Sequence, residues 1–172
     1  MFNLNFFKTM KAINVLCISA LALFLGSCSD DDEKDEIKGG ETKVVTWDQA
    51  FCSKIDIYVD DDGQIYNTKN TKDGISVTIA GEYEFEGFFE GAIQMCDQAS
   101  VMTFTSTVGK IKKIEILETD PIDDPTVPAN WNWDAKTNTY TWQGKASETV
   151  TIKGIKDKLV YIEVGKIVFT LE

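Results

Sequence analysis

Three glutamates alternate along one short stretch of the chain, and their carboxyl groups and spacing could serve acid–base catalysis. Glu82, Glu84 and Glu86 occupy every second position of the segment GEYEFEG. Alternate residues of a β-strand share a face and lie roughly 7 Å apart, which suits the two carboxyl groups of an inverting glycosidase. Any acidic alternating strand has this spacing, so we expect a solvated face opposite Tyr83 and Phe85. We therefore predict no catalytic residue and no enzymatic activity.

Four aromatic residues form a second candidate, for binding rather than catalysis. The segment NWNWDAKTNTYTWQG places Trp131 and Trp133 on one predicted strand and Tyr140 and Trp142 on the next. Each pair shares a face because strand side chains alternate. Sugar rings stack on flat aromatic faces, so a pair that faces solvent would form a glycan platform. Large aromatic residues also dominate sandwich cores, and the sequence leaves both alternatives open.

Two absences exclude most other catalytic and metal sites. The chain has no histidine, and all 17 basic residues are lysines. Ser-His-Asp triads, Cys-His pairs, histidine-ligated zinc and bidentate arginine clamps are therefore excluded. A calcium site with oxygen ligands is not excluded by these absences. An EF-hand loop with Gly63 in its glycine position would, however, have Tyr58 at the first ligand position and Lys69 at the twelfth, where carboxylates are required. We expect no metal ligand and no cofactor.

The balance of charge bears on the partners. The 28 acidic residues and 17 basic residues give a formal net charge of −11 at pH 7. A strongly acidic protein has no electrostatic attraction for nucleic acid or anionic head groups. We therefore expect no nucleic-acid partner.

The elements that must position these residues are short strands. Residues 55–59 alternate apolar and polar side chains, Asp62-Gly63 follows, and the alternation resumes at Ile65. Asp-Gly between alternating runs predicts a β-hairpin with a type I′ turn, which needs positive φ at both central residues. The same period of two continues from residue 75 to the end of the chain. Only WDQAFCSKI, residues 47–55, could form a short helical turn.

This pattern predicts an all-β protein. Many short strands separated by turns are typical of an antiparallel β-sandwich, here jelly-roll-like or immunoglobulin-like. We predict one such domain over residues 41–172. All three prolines fall in residues 121–128, which we interpret as a stiff linker or a crossing between the two sheets.

The N-terminal residues have the pattern of a secretory signal peptide. Lys8 and Lys11 precede an apolar run from Ile13 to Gly26, and small residues follow. The run has 14 residues, whereas a transmembrane helix needs about 20. We predict a cleaved signal peptide over residues 1–27.

The residues around the predicted cleavage point resemble the bacterial lipoprotein signal. In LGSC, residues 25–28, that resemblance implies cleavage before Cys28 and diacylation of its thiol, and two acyl chains make a lasting membrane anchor. The acidic run SDDDEKDE, residues 29–36, resembles the export tag of Bacteroidetes surface lipoproteins. The resemblance implies a lipid-anchored protein of the outer membrane, displayed on the cell surface. We therefore predict a lipidated acidic linker over residues 28–40. The acidic run could also be a solvated, flexible spacer, and both interpretations can hold at once. The alternatives are a plain cleaved signal with an incidental cysteine, in place of lipidation, and a periplasmic orientation, in place of surface display.

Two cysteines remain in the predicted domain once Cys17 leaves with the signal peptide and Cys28 carries lipid. Cys52 and Cys96 could form a disulfide in an exported protein. Two free thiols are the alternative.

A second resemblance covers roughly residues 74–172. The segments VMTFTSTVGKIKKIEIL, YTWQGKASETVTIKG and IVFTLE are similar to a β-sandwich module of secreted Bacteroidetes proteins. The function of that module is mostly undefined, and the resemblance implies a binding or adhesive context without catalytic residues. We therefore expect a membrane-anchored binding or adhesion module for a glycan or a protein. The alternatives are an assembly component of the envelope or of pilus-like structures, which needs an exposed edge strand, and a carboxylate-only glycoside hydrolase.

Overall fold

The protein is an antiparallel β-sandwich, so the predicted fold class is confirmed. The computed structural model describes residues 41–60, 62–68, 70–81 and 86–172. The predicted signal peptide 1–27, the linker 28–40 with Cys28, and the residues Glu82, Tyr83, Glu84 and Phe85 lie outside this part. Within it, no helix is sufficiently long and apolar to cross a bilayer.

The described residues form one four-residue helix and thirteen strands. They are β1 (Lys43–Asp48), α1 (Gln49–Cys52), β2 (Asp56–Val59), β3 (Ile65–Thr68), β4 (Thr71–Lys72), β5 (Ile75–Ala80), β6 (Gly87–Phe89), β7 (Ala92–Met95), β8 (Val101–Ser106), β9 (Ile111–Glu118), β10 (Asn132–Asp134), β11 (Thr139–Ser147), β12 (Thr149–Lys153) and β13 (Val160–Leu171).

The larger sheet is organised around β13. Its strand order is β10-β11-β9-β13-β7-β6-β2-β3, and β1 also pairs with β13. The first part of β13, Val160–Glu163, pairs with β7, and Lys166–Leu171 lies between β9 and β1. An irregularity between Val164 and Lys166 separates the two parts. A bulge of this kind bends a strand, so that its two parts can pair with different neighbouring strands.

The smaller sheet covers the inner face of the larger one. Its described strands follow the order β12-β8-β5-β4. Alternation along β5 and β8 places every second side chain in the core, since Ile75, Val77, Met102 and Phe104 are all fully buried. The larger sheet contributes the opposite wall of the core with Trp47, Ile57, Phe88, Ile93, Ile114, Ile116, Tyr140, Ile162, Ile167 and Phe169.

The hairpin predicted around Asp62-Gly63 is present, but the predicted turn type is wrong. Among the positive-φ residues of the described chain, Gly63 has φ 74°, whereas Asp62 is not among them. The Asp60 carboxylate accepts hydrogen bonds from the backbone N–H groups of Asp62 and Gln64, at 3.0 and 2.8 Å. The N–H of Gly63 donates to the carbonyl of Asp60 at 2.9 Å. Asp60 also pairs with Gln64, since its N–H donates to the Gln64 carbonyl at 3.1 Å, so the connection is one residue longer than a two-residue type I′ turn.

The proline-rich segment does not cross from one sheet to the other. Residues 119–131 join β9 to β10, and both strands belong to the larger sheet. The first part of the segment is exposed, whereas Pro128 is buried and Val127 packs against the core. The segment is therefore an arch that carries the chain past β11 to the edge of the same sheet.

Candidate functional site

The aromatic hairpin predicted as a ligand site belongs mostly to the core. Trp131 is 5% exposed and Tyr140 is fully buried. Trp133 and Trp142 are half-buried and pack against the core, and the ring of Trp133 lies 4.5 Å from that of Tyr140. Tyr140 and Trp142 lie opposite Ile116 and Ile114, which are fully buried, so their side chains share the face that the smaller sheet covers. Of the two alternatives that the sequence left open for these four residues, the burial of their side chains favours core packing over an exposed platform.

Trp131 instead closes one open side of the sandwich. Its indole Nε1–H donates to the backbone carbonyl of Thr151 on β12, at 3.4 Å. Trp47 on β1 does the same at the opposite side, where its Nε1–H donates to the carbonyl of Lys72 on β4, at 3.3 Å. β12 and β4 are the two edge strands of the smaller sheet. The Ser106–Glu148 hydrogen bond sets the alternation along β8 and β12, so the Thr151 carbonyl is directed away from β8 and Trp131 satisfies a backbone group that the edge strand would leave unpaired. The Lys72 carbonyl belongs to the pair with Ile75 that flanks the Asp73-Gly74 turn, so Trp47 adds a second donor to it.

A different set of aromatic residues lies on the outer face of the larger sheet. The rings of Tyr58 on β2 and Tyr66 on β3 are stacked, with centroids 4.8 Å apart and planes 10° from parallel. Phe89 on β6 meets Tyr58 edge-on at 6.3 Å. Tyr66 is 41% exposed, whereas Tyr58 and Phe89 are half-buried. We call these three residues the tyrosine cluster.

The tyrosine cluster borders a groove of about 610 Å³. Tyr58 and Phe89 form its aromatic wall, and the remaining lining is Ser53, Lys54, Ile55, Asp56 and Glu90. A cavity of a few hundred cubic ångströms with an aromatic wall and a few polar groups has the character of a small-molecule site.

Local sequence explains why the groove has this shape. In the register of the sheet, Tyr58 lies between Tyr66 on β3 and Gly87 on β6. Gly87 has φ 145°, and a Cβ atom there would lie 1.9 Å from the carbonyl oxygen of Ile57. β6 can therefore approach β2 only with glycine at this position. This close approach of β6 to β2 brings Phe89 beside the Tyr58 ring at the groove.

Two further local structures set the rim of the groove. Glu90 and Gly91 join β6 to β7 with φ values of 49° and 87°, which is the type I′ conformation, and this turn places Glu90 at the groove. On the other side, Asp48 caps α1 by accepting a hydrogen bond from the N–H of Phe51 at 2.9 Å, which lowers the pKa of Asp48. The helix then delivers Ser53 and Lys54 to the rim.

The charge around the tyrosine cluster is mainly acidic. Asp56 and Glu90 line the groove with Lys54 as its single basic residue. Asp60 lies near the Tyr66 hydroxyl, and this carboxylate is the main cause of the raised pKa of Tyr66. A tyrosine held in its neutral form can donate a hydrogen bond from its hydroxyl group.

Glu86 is fully buried, so the expectation of a solvated glutamate at this position is wrong. Its Oε1 accepts hydrogen bonds from the backbone N–H groups of Cys96 and Asp97, at 3.0 and 3.1 Å. The carboxylate therefore holds the end of β7 and its following turn. It has a structural role among the described residues, and Glu82 and Glu84 lie outside them.

A second buried carboxyl group lies at the aromatic hairpin. Glu118 is 8% exposed, and within the described residues neither of its carboxyl oxygens has a hydrogen-bond partner. Burial raises the pKa of Glu118, with a smaller contribution from the charges of Glu163 and Asp120. Burial likewise raises the pKa of Tyr140, and the nearby Glu118 adds to the effect. Glu118 and Tyr140 do not line the groove beside the tyrosine cluster.

The disulfide considered for Cys52 and Cys96 is absent, because both are free thiols. Cys52 is buried at the end of α1, where burial raises its pKa to about 12. The start of β7 lies close to the end of α1, since a Cβ on Gly91 would be 3.7 Å from Cα of Ser53. Cys96 is exposed and lies five residues after Gly91, which corresponds to about 16 Å along an extended strand. Cys96 is therefore far from the end of α1, where Cys52 lies. A disulfide needs Cα atoms within about 7 Å of each other.

A second groove, of about 700 Å³, has no aromatic wall. Its lining is Thr105, Ser106, Thr107, Gly109, Lys110, Glu148 and Glu172. Ser106 is nearly buried and its hydroxyl accepts a hydrogen bond from the N–H of Val108, so this group is already used within the turn. The tyrosine groove is therefore the better candidate site, although it is the smaller one.

Sequence reasoning missed the tyrosine cluster because it treated residues 55–68 only as a hairpin. The available signal was Tyr58 and Tyr66 on either side of the turn. With a three-residue loop they fall opposite each other on the face away from Ile57 and Val59. Comparisons with protein-family models, with curated proteins and with solved structures give no match for this chain.

Proposed function

We propose that the protein is a non-catalytic binding module for a glycan, held on the outer membrane and displayed at the cell surface by lipid on Cys28. The observation that carries the binding proposal is the tyrosine cluster beside its groove. Two stacked rings with one face at an open groove are an unusual feature for a surface exposed to water, because aromatic area is mostly buried in cores.

A saccharide ring fits the two kinds of surface that the groove offers. Its apolar face would stack on the aromatic wall formed by Tyr58 and Phe89. Its hydroxyl groups would exchange hydrogen bonds with Ser53, Lys54 and Asp56, which supply donors and acceptors around that wall. The stacking of Tyr66 on Tyr58 fixes the position of the wall before the ligand arrives, which lowers the ordering cost of binding.

The position of the acidic groups favours binding over hydrolysis. Asp56 and Glu90 both line the groove, but both are exposed. The general acid of a glycosidase is typically a carboxyl group in an apolar pocket. The buried carboxyl groups of Glu86 and Glu118 lie away from the groove lining.

A glycan array probed with the full chain in detergent micelles tests the binding proposal. We expect Tyr58→Ala to weaken binding of any saccharide hit by about tenfold or more, equivalent to about 1.4 kcal/mol of lost stacking. Tyr161→Ala is the matched control, since Tyr161 shares the outer face but lies on β13, three strands away. Equal binding by the Tyr58→Ala variant and the unaltered protein would refute a role for the groove.

The anchor has its own test. Cys28→Ala should move the protein from the detergent phase to the aqueous phase in phase partitioning, because two acyl chains are lost. Protease added to whole cells should degrade the unaltered protein if it faces outward. Survival of the protein on intact cells with degradation after lysis would indicate the periplasmic orientation instead.

A further inference from the structure

β3 is an edge strand with exposed side chains along its whole length. It ends the larger sheet beyond β2, and all four of its residues are exposed. Ile65 is 44% exposed and Tyr66 is 41% exposed. Edge strands with exposed apolar side chains are templates for pairing with another chain.

The hydrogen bonds of β2 show which backbone groups of β3 face the open edge. The N–H of Val59 donates to the carbonyl of Glu86 at 3.1 Å, so the backbone of Val59 is directed to β6 and not to β3. Ile65 is the register partner of Val59 and therefore directs its own N–H and C=O away from β2. By alternation Asn67 does the same. These two residues supply the free positions for an added strand.

Ile65 also marks a place where the sandwich is incomplete. Its partner Val59 is fully buried on the inner face, and Ile65 belongs to the same face. Ile65 is nevertheless far more exposed than its neighbour because β3 extends beyond the cover of the smaller sheet. An apolar side chain on the inner face of an added strand would bury Ile65. The next side chain along that strand would face outward and lie beside Tyr66.

The other edges in the described residues are protected. The Thr151 carbonyl of β12 is capped by Trp131, and β4 is a strand of two residues that Trp47 contacts through its bond to Lys72. β1 is tied to β4 by the same Trp47 bond and by an ion pair between Asp48 and Lys72 at 3.5 Å. β10 has three residues, of which Asn132 and the terminal Asp134 are exposed. Unlike these edges, β3 has apolar side chains on both faces, and among the described residues no side chain bonds the backbone groups on its open side.

The charge near β3 selects the partner. Among the described residues, Asp60 and Asp62 lie in the loop that leads into β3, and Asp56 is the register partner of Thr68 at its other end. Asp56 also lines the groove with Glu90 and Lys54. A second copy of the chain would bring the same acidic groups together and would be repelled, whereas a basic segment would be attracted.

We propose that β3 accepts an extended segment of another protein as an added antiparallel or parallel strand. The segment pairs with the backbone of Ile65 and Asn67, carries apolar side chains at alternate positions and has lysine or arginine between them. This inference concerns the edge of the sheet and does not depend on glycan binding in the groove.

Binding of a nine-residue peptide of alternating valine and lysine to the full chain in detergent micelles tests the proposal. Fluorescence anisotropy should show saturable binding, and the Ile65 and Asn67 amide signals should shift in an NMR titration. Ile65→Pro removes an outward N–H without removing a bond to β2, and we expect at least about a tenfold loss of affinity. Ile65→Val is the matched control and should retain binding, because it keeps both the N–H and a β-branched side chain.

A peptide-side variant keeps the test valid if Ile65→Pro fails to fold. N-methylation of alternate peptide residues removes the inter-strand donors and should abolish binding to the unaltered protein. Undiminished binding of the methylated peptide, or equal binding of a valine–glutamate peptide, would overturn the proposal. Concentration-dependent self-association that Ile65→Pro prevents would overturn it in favour of a second copy as the occupant. Tyr58→Ala should leave peptide binding intact while it weakens glycan binding, so the two proposals can fail separately.

Discussion

The larger sheet ends in an aromatic hairpin at each side, and the two hairpins use their rings in opposite ways. At one end, β10 and β11 direct Trp133, Tyr140 and Trp142 to the inner face, where the smaller sheet and the core receive them. At the other end, β2 and β3 direct Tyr58 and Tyr66 to the outer face and leave them partly exposed. Aromatic content is similar in the two regions, so the face on which the rings lie decides between burial in the core and partial exposure to solvent.

The largest difference between the hairpins should appear in stability. Trp131→Ala removes a ring that is 5% exposed and leaves the Thr151 carbonyl without its donor, so we expect a loss of about 3–5 kcal/mol. Tyr66→Ala is the matched variant at the other end and should cost less than about 1 kcal/mol, because its ring is largely at the surface. Urea denaturation followed by circular dichroism measures both. Comparable losses would show that the tyrosine pair is a structural cluster.

A smaller effect should distinguish the two ends by pH. Burial raises the pKa of Glu118 above its ordinary value of 4.5, so the folded state binds this proton more tightly than the unfolded state. The contribution of Glu118 to stability is then present below about pH 4.5 and is lost as the pH rises through its folded pKa. Glu118→Gln should therefore raise Tm slightly at pH 7 and leave it unchanged near pH 4. Thermal unfolding at the two pH values measures this difference.

The control for this pH effect lies at the opposite hairpin. Asp60→Asn keeps an acceptor for the N–H groups of Asp62 and Gln64 and changes a charge at the surface. It should not reproduce the rise in Tm at pH 7. A Glu118→Gln variant that is less stable at neutral pH would mean that the carboxylate has a favourable role in the folded state.

The sandwich itself could be predicted from the period of two, because alternating side chains need one covered face. Residues 75–79 and 101–106 show this most plainly, and every apolar residue that alternates in β5 lies in the core. The position of the tryptophans was less predictable. Period alone tells which side chains share a face, and it does not tell which face the second sheet covers.

The tyrosine cluster could not be predicted because its register depends on one loop. The dipeptide Asp-Gly occurs twice, and at Asp73-Gly74 both residues have positive φ, 52° and 79°, as a type I′ turn requires. At Asp62-Gly63 the carboxylate of Asp60 competes for the backbone N–H groups and lengthens the loop by one residue. A two-residue turn would have paired Tyr66 with Val59 and directed its ring to the core. The additional residue shifts the register by one and reverses the face of every side chain on β3.

Glu86 illustrates a different limit of sequence reasoning. Alternating glutamates predict a solvated face, yet this carboxylate is buried because two backbone N–H groups from the turn after β7 converge on it. The two hydrogen bonds to Oε1 offset part of the cost of burying this polar group, whereas Oε2 has no hydrogen-bond partner among the described residues. These donors come from residues ten and eleven positions further along the chain, and no local pattern shows that they will meet.

The pairing of β1 with β13 brings the two ends of the described chain side by side. Lys43 is the register partner of Leu171, and Lys110 exchanges two backbone hydrogen bonds with Glu172. A short peptide could therefore link residue 172 to residue 41 without distorting either strand. New termini could be opened in the exposed residues 119–124, which form no strand. The fold should thus tolerate circular permutation, and the termini of a permuted chain would lie in the β9–β10 arch instead of beside β1 and β13.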